Sequence, residues 1–120
     1  MRTIEFKTWD TVQNKMMDWD NLKYEFSLES MTLAEMFERP RYIPLQFTGL
    51  IDQPGKKIFE SDIVKISPGF GCIFNEAVGV VEYEYASFWL VFKNQSIVLA
   101  DHNCTLEVIG NIFENPELIP

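Results

Sequence analysis

Apolar and polar residues alternate along most of the chain with a period of two, the signature of strands that bury one face. Ile4 and Phe6 alternate with Thr3, Glu5 and Lys7, which predicts a strand over residues 2–9 ending at Trp9. After the polar turn Asp10–Asn14, Lys15–Trp19 predicts a short return strand. Leu22, Tyr24, Phe26 and Leu28 alternate with Lys23, Glu25, Ser27 and Glu29, the cleanest strand pattern of the first half. Ser30–Phe37 changes character. Thr32 and Glu35 form a capping box, and Leu33, Met36 and Phe37 share one helical face, which predicts a short helix from Leu33 to about Glu38, stopped by Pro40. Arg39–Pro44 reads as an extended linker, because Pro44 disfavours helix at Ile43.

The stretch Leu45–Val64, LQFTGLIDQPGKKIFESDIV, organises the remainder. Leu45, Phe47 and Gly49 alternate with Gln46, Thr48 and Leu50. Pro54-Gly55 predicts a type II turn, since Pro presets φ and Gly supplies a positive φ without a Cβ clash. Lys56–Phe59 runs back as the partner strand, Glu60–Asp62 breaks it, and Ile63–Ile66 starts another. Strands are expected again at Val78–Glu84, Ser87–Phe92, Ile97–Leu99 and Thr105–Ile112, with a tight turn near Tyr85-Ala86. Ser87–Phe92 has almost no alternation, so both its faces are expected to be covered. Closely spaced corners favour antiparallel pairing over a βαβ unit. The fold class expected is mainly β, a bent antiparallel sheet or small barrel-like core, with an N-terminal β-rich segment and one short helix. The 120 residues are expected to form one domain, with an N-terminal segment over 1–44 and a barrel-like core over 45–115.

Composition supports a packed core: 47% of residues are hydrophobic and 14% aromatic, which excludes a disordered chain. Charge is uneven. Residues 1–57 hold eight Lys/Arg against nine Asp/Glu, a net of −1, and residues 58–120 hold two against nine, a net of −7. An acidic C-terminal half repels phosphate backbones and disfavours nucleic acid as a partner. The N-terminus lacks an apolar signal region, and no apolar run reaches a membrane span, so a cytoplasmic protein without a membrane partner is expected. Cys72 and Cys104 have no metal spacing and are expected to be reduced, buried thiols.

Candidate chemistry is sparse. Asp18, Asp20 and Asn21 look like an acidic loop, but a calcium loop counted from Asp18 would place its obligatory Gly at Lys23. Asp101, His102 and Cys104 are neighbours in sequence without evident convergence on a nucleophile. Glu82 and Glu84 share one strand face and read as solvated. Gly69 and Gly71 do not follow phosphate-loop spacing. Arg39 and Arg41 lie beside Tyr42 in the linker and offer an anion or partner contact. No catalytic residue, cofactor or metal site is expected. Two apolar groups offer contact surfaces: Phe70, Ile73 and Phe74 in the loop, and Leu33, Met36 and Phe37 on the helix.

Motifs accumulate along the chain in a fixed order. TWD at Thr8–Asp10, QFTGLIDQPGKKIFESDIV at Gln46–Val64, GVVEYE at Gly79–Glu84 and EVIGNIFENPEL at Glu107–Leu118 are similar to the successive motifs of the YopX family. One departure stands out, Ser61 where that family's pattern has Gly, which matters if the position needs φ > 0. The resemblance implies a mostly β protein encoded by a phage or prophage, in a bacterial cytoplasm, with no catalytic residues to carry over. The motif residues Gly49, Pro54, Gly55, Asp62, Gly110, Asn111 and Pro116 are read as turn and bulge positions. The expected function is that of a non-enzymatic accessory protein acting by self-association, as a homo-oligomer, and by contacts with host or phage proteins. Two alternatives stand beside it: an acidic decoy for a host nucleic-acid-handling protein, and an enzyme with an unrecognised site.

Overall fold

The computed structural model describes residues 3–22, 24, 32–67, 76–93, 95–99 and 104–120. Strand accounts for 52% of the described residues, in two antiparallel sheets, one a curled half-barrel, as the alternation predicts. The strands are β1 (Phe6–Asp10), β2 (Lys15–Met17), β3 (Tyr42–Ile51), β4 (Lys57–Phe59), β5 (Asp62–Ser67), β6 (Ala77–Glu84), β7 (Ser87–Val91), β8 (Ser96–Val98) and β9 (Thr105–Asn111). They form a four-stranded sheet in the order β2-β1-β3-β4 and a five-stranded sheet in the order β8-β7-β6-β5-β9. The chain divides into two compact units, Met1–Phe47 and Thr48–Pro120, with the division inside β3.

In the first unit β1 pairs with β2 and with the beginning of β3, Thr8 lying between Met17 and Pro44. Residues 42–44 are therefore strand and not linker. Pro44 fits there because the Phe47 N–H donates to the Glu5 carbonyl, so by alternation the missing donor at Pro44 points away from β1. A second departure concerns the Leu22–Leu28 pattern. Residues 19–22 and 24, named α1, are helical, and the rest of that predicted strand lies outside the described residues. Asp18 caps α1: its carboxylate accepts the Asn21 N–H at 2.8 Å and its carbonyl the Leu22 N–H at 2.9 Å. The predicted helix is present as α2 (Leu33–Phe37), with Thr32 as N-cap accepting the Glu35 N–H at 3.1 Å. Met17, Leu22, Met36 and Tyr42 are buried together, with Phe6, Trp19 and Phe37 packed against them.

The second unit is built on Ile58, Val64, Ile66, Val81, Leu90, Leu99 and Val108. β5 sits centrally, between β6 and β9. Along β9 the register shifts: Ile63 pairs with Gly110 but Val64 with Val108, so a bulge interrupts the ladder. Gly110 is required sterically, because a Cβ there would lie 2.5 Å from Asn115 Oδ1. β7 is covered on one face only. Leu90 is buried, while Trp89 and Val91, pointing the other way, stay half-buried.

One corner differs from the predicted turn chemistry. At the Pro-Gly corner the Gly55 N–H donates to the Asp52 carbonyl at 3.0 Å, so Gln53 and Pro54 are central and Gly55, at φ 103°, completes a three-residue loop. Asp52 sets this arrangement, its buried carboxylate accepting the Gly55 N–H at 3.1 Å and the Lys56 N–H at 2.6 Å. Cys104 is disulfide-bonded, where the sequence predicts a reduced thiol. A disulfide depends on Cα–Cα proximity, which residue spacing along the chain does not reveal. The other cysteine, Cys72, lies outside the described residues.

Candidate functional site

Among the described residues, the buried polar side chains Asp10, Asp52, Asp62 and Asn111 hold backbone. Asp10 is almost fully buried, and its carboxylate receives Arg41 Nε at 3.0 Å and Arg41 Nη2 at 2.8 Å. The Val12 and Gln13 N–H groups donate to the same carboxylate and fix the β1–β2 turn. The Arg41 hydrogen bond holds the Asp10 carboxyl down at about 2, against burial, which pushes it up, with the Gln13 and Val12 amides helping. Arg41 also lies 5.0 Å from the Tyr42 ring centre. The arginine expected in an exposed linker is thus a structural clamp. Asp62 accepts the Phe59 N–H at 2.8 Å across the Glu60-Ser61 corner. Asn111 accepts the Phe113 and Glu114 N–H groups and donates to Glu114 Oε1 at 2.8 Å. Pro116 opens a 3₁₀ turn, Pro116–Leu118. Gly49 has φ 90° and Ser61 φ 67°.

The predicted contact surfaces have different fates. Met36 is buried and Phe37 half-buried in the core of the first unit, so this helix face is core rather than contact surface. Leu33 lies in α2. Phe70, Ile73 and Phe74 lie outside the described residues, as do Asp101 and His102. Among the described residues no three His, Cys, Asp or Glu side chains converge to hold a metal ion. No helix among them is long and apolar enough to cross a membrane.

The surface that does gather chemistry is the outer face of β6, β7 and β8. The register sets Glu82 opposite Trp89 and Glu84 opposite Ser87, and places Val98 opposite Trp89 and Ser96 opposite Val91. One sheet face therefore carries two carboxylates, an indole and two valines. Both glutamates are exposed and Val98 is 46% exposed. At the tip, Tyr85 and Ala86 form a two-residue loop with φ 51° and 59°, and Tyr85 is 87% exposed. The Trp89 Nε1–H donates to the Glu84 carbonyl at 2.9 Å, which pins the indole beneath the tip. Glu84, Tyr85, Trp89, Val91 and Ser96 line an open surface cavity of about 120 Å³. A second cavity, about 360 Å³, is lined by Ala77, Val78, Phe92, Lys93, Gln95 and Pro120. The paired glutamates were visible in the sequence. The site was not, because it needs the pairing of β7 with both neighbours.

Comparison with known proteins agrees with this architecture. No curated protein matches the chain. Among solved structures, protein EF1440 from Enterococcus faecalis superposes with a TM-score of 0.66 at 22% identity, covering 100% of both chains. Protein yopX from Bacillus subtilis superposes with a TM-score of 0.62 at 20% identity, again covering 100% of both chains. At these identities the likeness is one of fold. The family model described as "YopX protein" matches residues 5–120, nearly the whole chain, and the protein belongs to the YopX family.

Proposed function

We propose that this protein is a non-enzymatic accessory protein of a phage or prophage that works through protein contacts, including contacts between copies of itself. One observation carries the reading: a sheet face that combines exposed Val98 with half-buried Trp89 and Val91 ends in a hairpin tip whose tyrosine is 87% exposed. Aromatic side chains on a rigid hairpin are favoured anchors of protein interfaces. The roles of the buried carboxylates favour a binding protein over an enzyme. Asp10, Asp52 and Asp62 each accept backbone N–H groups that define a corner.

Light scattering across a concentration series tests self-association. The wild type is expected to gain mass with concentration and the Val98→Lys variant to gain less. A photo-cross-linking residue in place of Tyr85 tests contact with other proteins in the producing bacterium. A monomer at every concentration, with no protein cross-linked at position 85, overturns the proposal.

The acidic-decoy reading is supported by the net charge of −7 over residues 58–120. It predicts a cross-linked partner that handles nucleic acid and dissociates steeply with salt. Binding indifferent to salt removes it.

A further inference from the structure

We propose that the cavity under the β6–β7 tip is a site for a basic side chain, lysine or arginine, presented by a partner protein. This deepens the protein-contact reading above and rests on it. The depression is lined by Glu84, Tyr85, Trp89, Val91 and Ser96, residues that bring one carboxylate and two aromatic rings to this end of the sheet. A second carboxylate, Glu82, stands directly across the strand pair from Trp89. An ammonium or guanidinium group is the ligand chemistry that uses all of these at once. The rings attract a cation through their π faces, the carboxylates pair with it, and its aliphatic stem lies along valine.

The indole is already oriented for this. Its N–H is spent on the Glu84 carbonyl at 2.9 Å, so the ring is held without help from a ligand. The charge of residues 58–120, −7, draws a basic partner and repels an acidic one. Lys65 lies 3.4 Å from Glu76, and among the described residues no cation is paired with Glu82 or Glu84.

Tyr85 adds an independent sign. A two-residue hairpin loop with φ 51° and 59° suits Asn-Gly, Asp-Gly or Gly-Gly, and here holds Tyr-Ala. A left-handed backbone is costly for tyrosine, and at 87% exposure the ring gains almost no burial within its own chain. Packing and turn chemistry both leave the ring unexplained, whereas a contact made on binding explains it.

The test is a titration of the full chain, followed by NMR at the Trp89 indole N–H, with the capped peptide acetyl-Arg-Lys-Arg-Lys-amide and a Ser-Gly peptide of equal length. A saturable shift with the basic peptide alone is expected. Glu84→Gln and Tyr85→Gly are each expected to weaken it by about two- to fivefold, the scale of one solvent-exposed cation–π or charge contact. Tyr85→Gly is also expected to raise the melting temperature, since glycine relieves the left-handed loop, so weaker binding there is not a folding defect. No saturable shift at Trp89, or one that neither variant weakens, overturns the site. If the site fails while position 85 still cross-links to a protein, only the basic-side-chain assignment falls. If cross-linking and self-association also fail, the protein-contact reading falls with it.

Discussion

Asp10 and Arg41, 31 residues apart, meet in a two-point ion pair with N–O distances of 3.0 and 2.8 Å. The pair fastens the start of β3 to the end of β1. Because the Asp10 carboxyl is lowered from 3.8 to about 2, the folded state binds its proton less readily than the unfolded chain. Its contribution is therefore complete above about pH 4 and is lost as the pH falls towards 2. The shift alone corresponds to roughly 2 kcal/mol, and solvent at the partly exposed guanidinium reduces this to about 1–2 kcal/mol. Urea unfolding at about pH 7, 4 and 2.5 should show Asp10→Asn less stable by that amount at pH 7, with the gap closing below pH 4. A gap unchanged down to pH 2.5 would contradict the assignment.

Ser61 has φ 67° at the corner between β4 and β5. Its N–H donates to the Val81 carbonyl and its carbonyl accepts the Ile112 N–H, so the backbone cannot relax without breaking both. A non-glycine residue in this conformation costs about 1–2 kcal/mol, partly offset by the extra freedom glycine has when unfolded. Ser61→Gly is expected to stabilise the protein by about 0.5–1 kcal/mol in urea titration. A loss of stability would show that the serine side chain carries something more.

Thr8 is fully buried in β1, and its hydroxyl has no hydrogen-bond partner among the described residues. Thr8→Val keeps the shape and removes the unsatisfied hydroxyl. An increase of about 1 kcal/mol is expected, read as a higher denaturation midpoint at constant m-value. A decrease would mean that the hydroxyl is bonded.

Asp52 Oδ2 accepts the Val108 N–H at 2.9 Å while Oδ1 holds the turn, so one buried side chain joins the β3–β4 corner to β9. Asp52→Ala strands the Lys56 and Val108 N–H groups, while the Gly55 N–H keeps the carbonyl of residue 52, and is expected to cost about 2–4 kcal/mol. Asp52→Asn keeps one acceptor and should cost about half as much. Hydrogen exchange at Val108 should accelerate in both; protection left intact would refute the link.

The strands of the second unit were legible because alternation there agrees with the turns between them. Val81 and Leu90 face the core as their neighbours face out. Leu22 and Tyr24 misled for a physical reason. In a strand they would share a face, but on α1 they lie nearly opposite, and Leu22 is 0% exposed while Tyr24 is 65% exposed. The decisive signal was Asp18, a helix cap that resembled a metal loop. The roles of Asp10 and Asp52 depend on partners 31 and 56 residues away, and no local pattern contains them. The hairpin site was half visible. Tyr-Ala at a two-residue turn is anomalous once the strands are placed, but the cavity exists only after β8 pairs with β7.

The outer side of β9 gives its Leu106 carbonyl to the Gln53 N–H and its Val108 N–H to Asp52. These groups would otherwise be a template on which a foreign strand could zip. With them occupied by the chain's own corner, fibril-like growth is blocked at that margin, and copies that meet there must do so through side chains rather than by extending a common ladder.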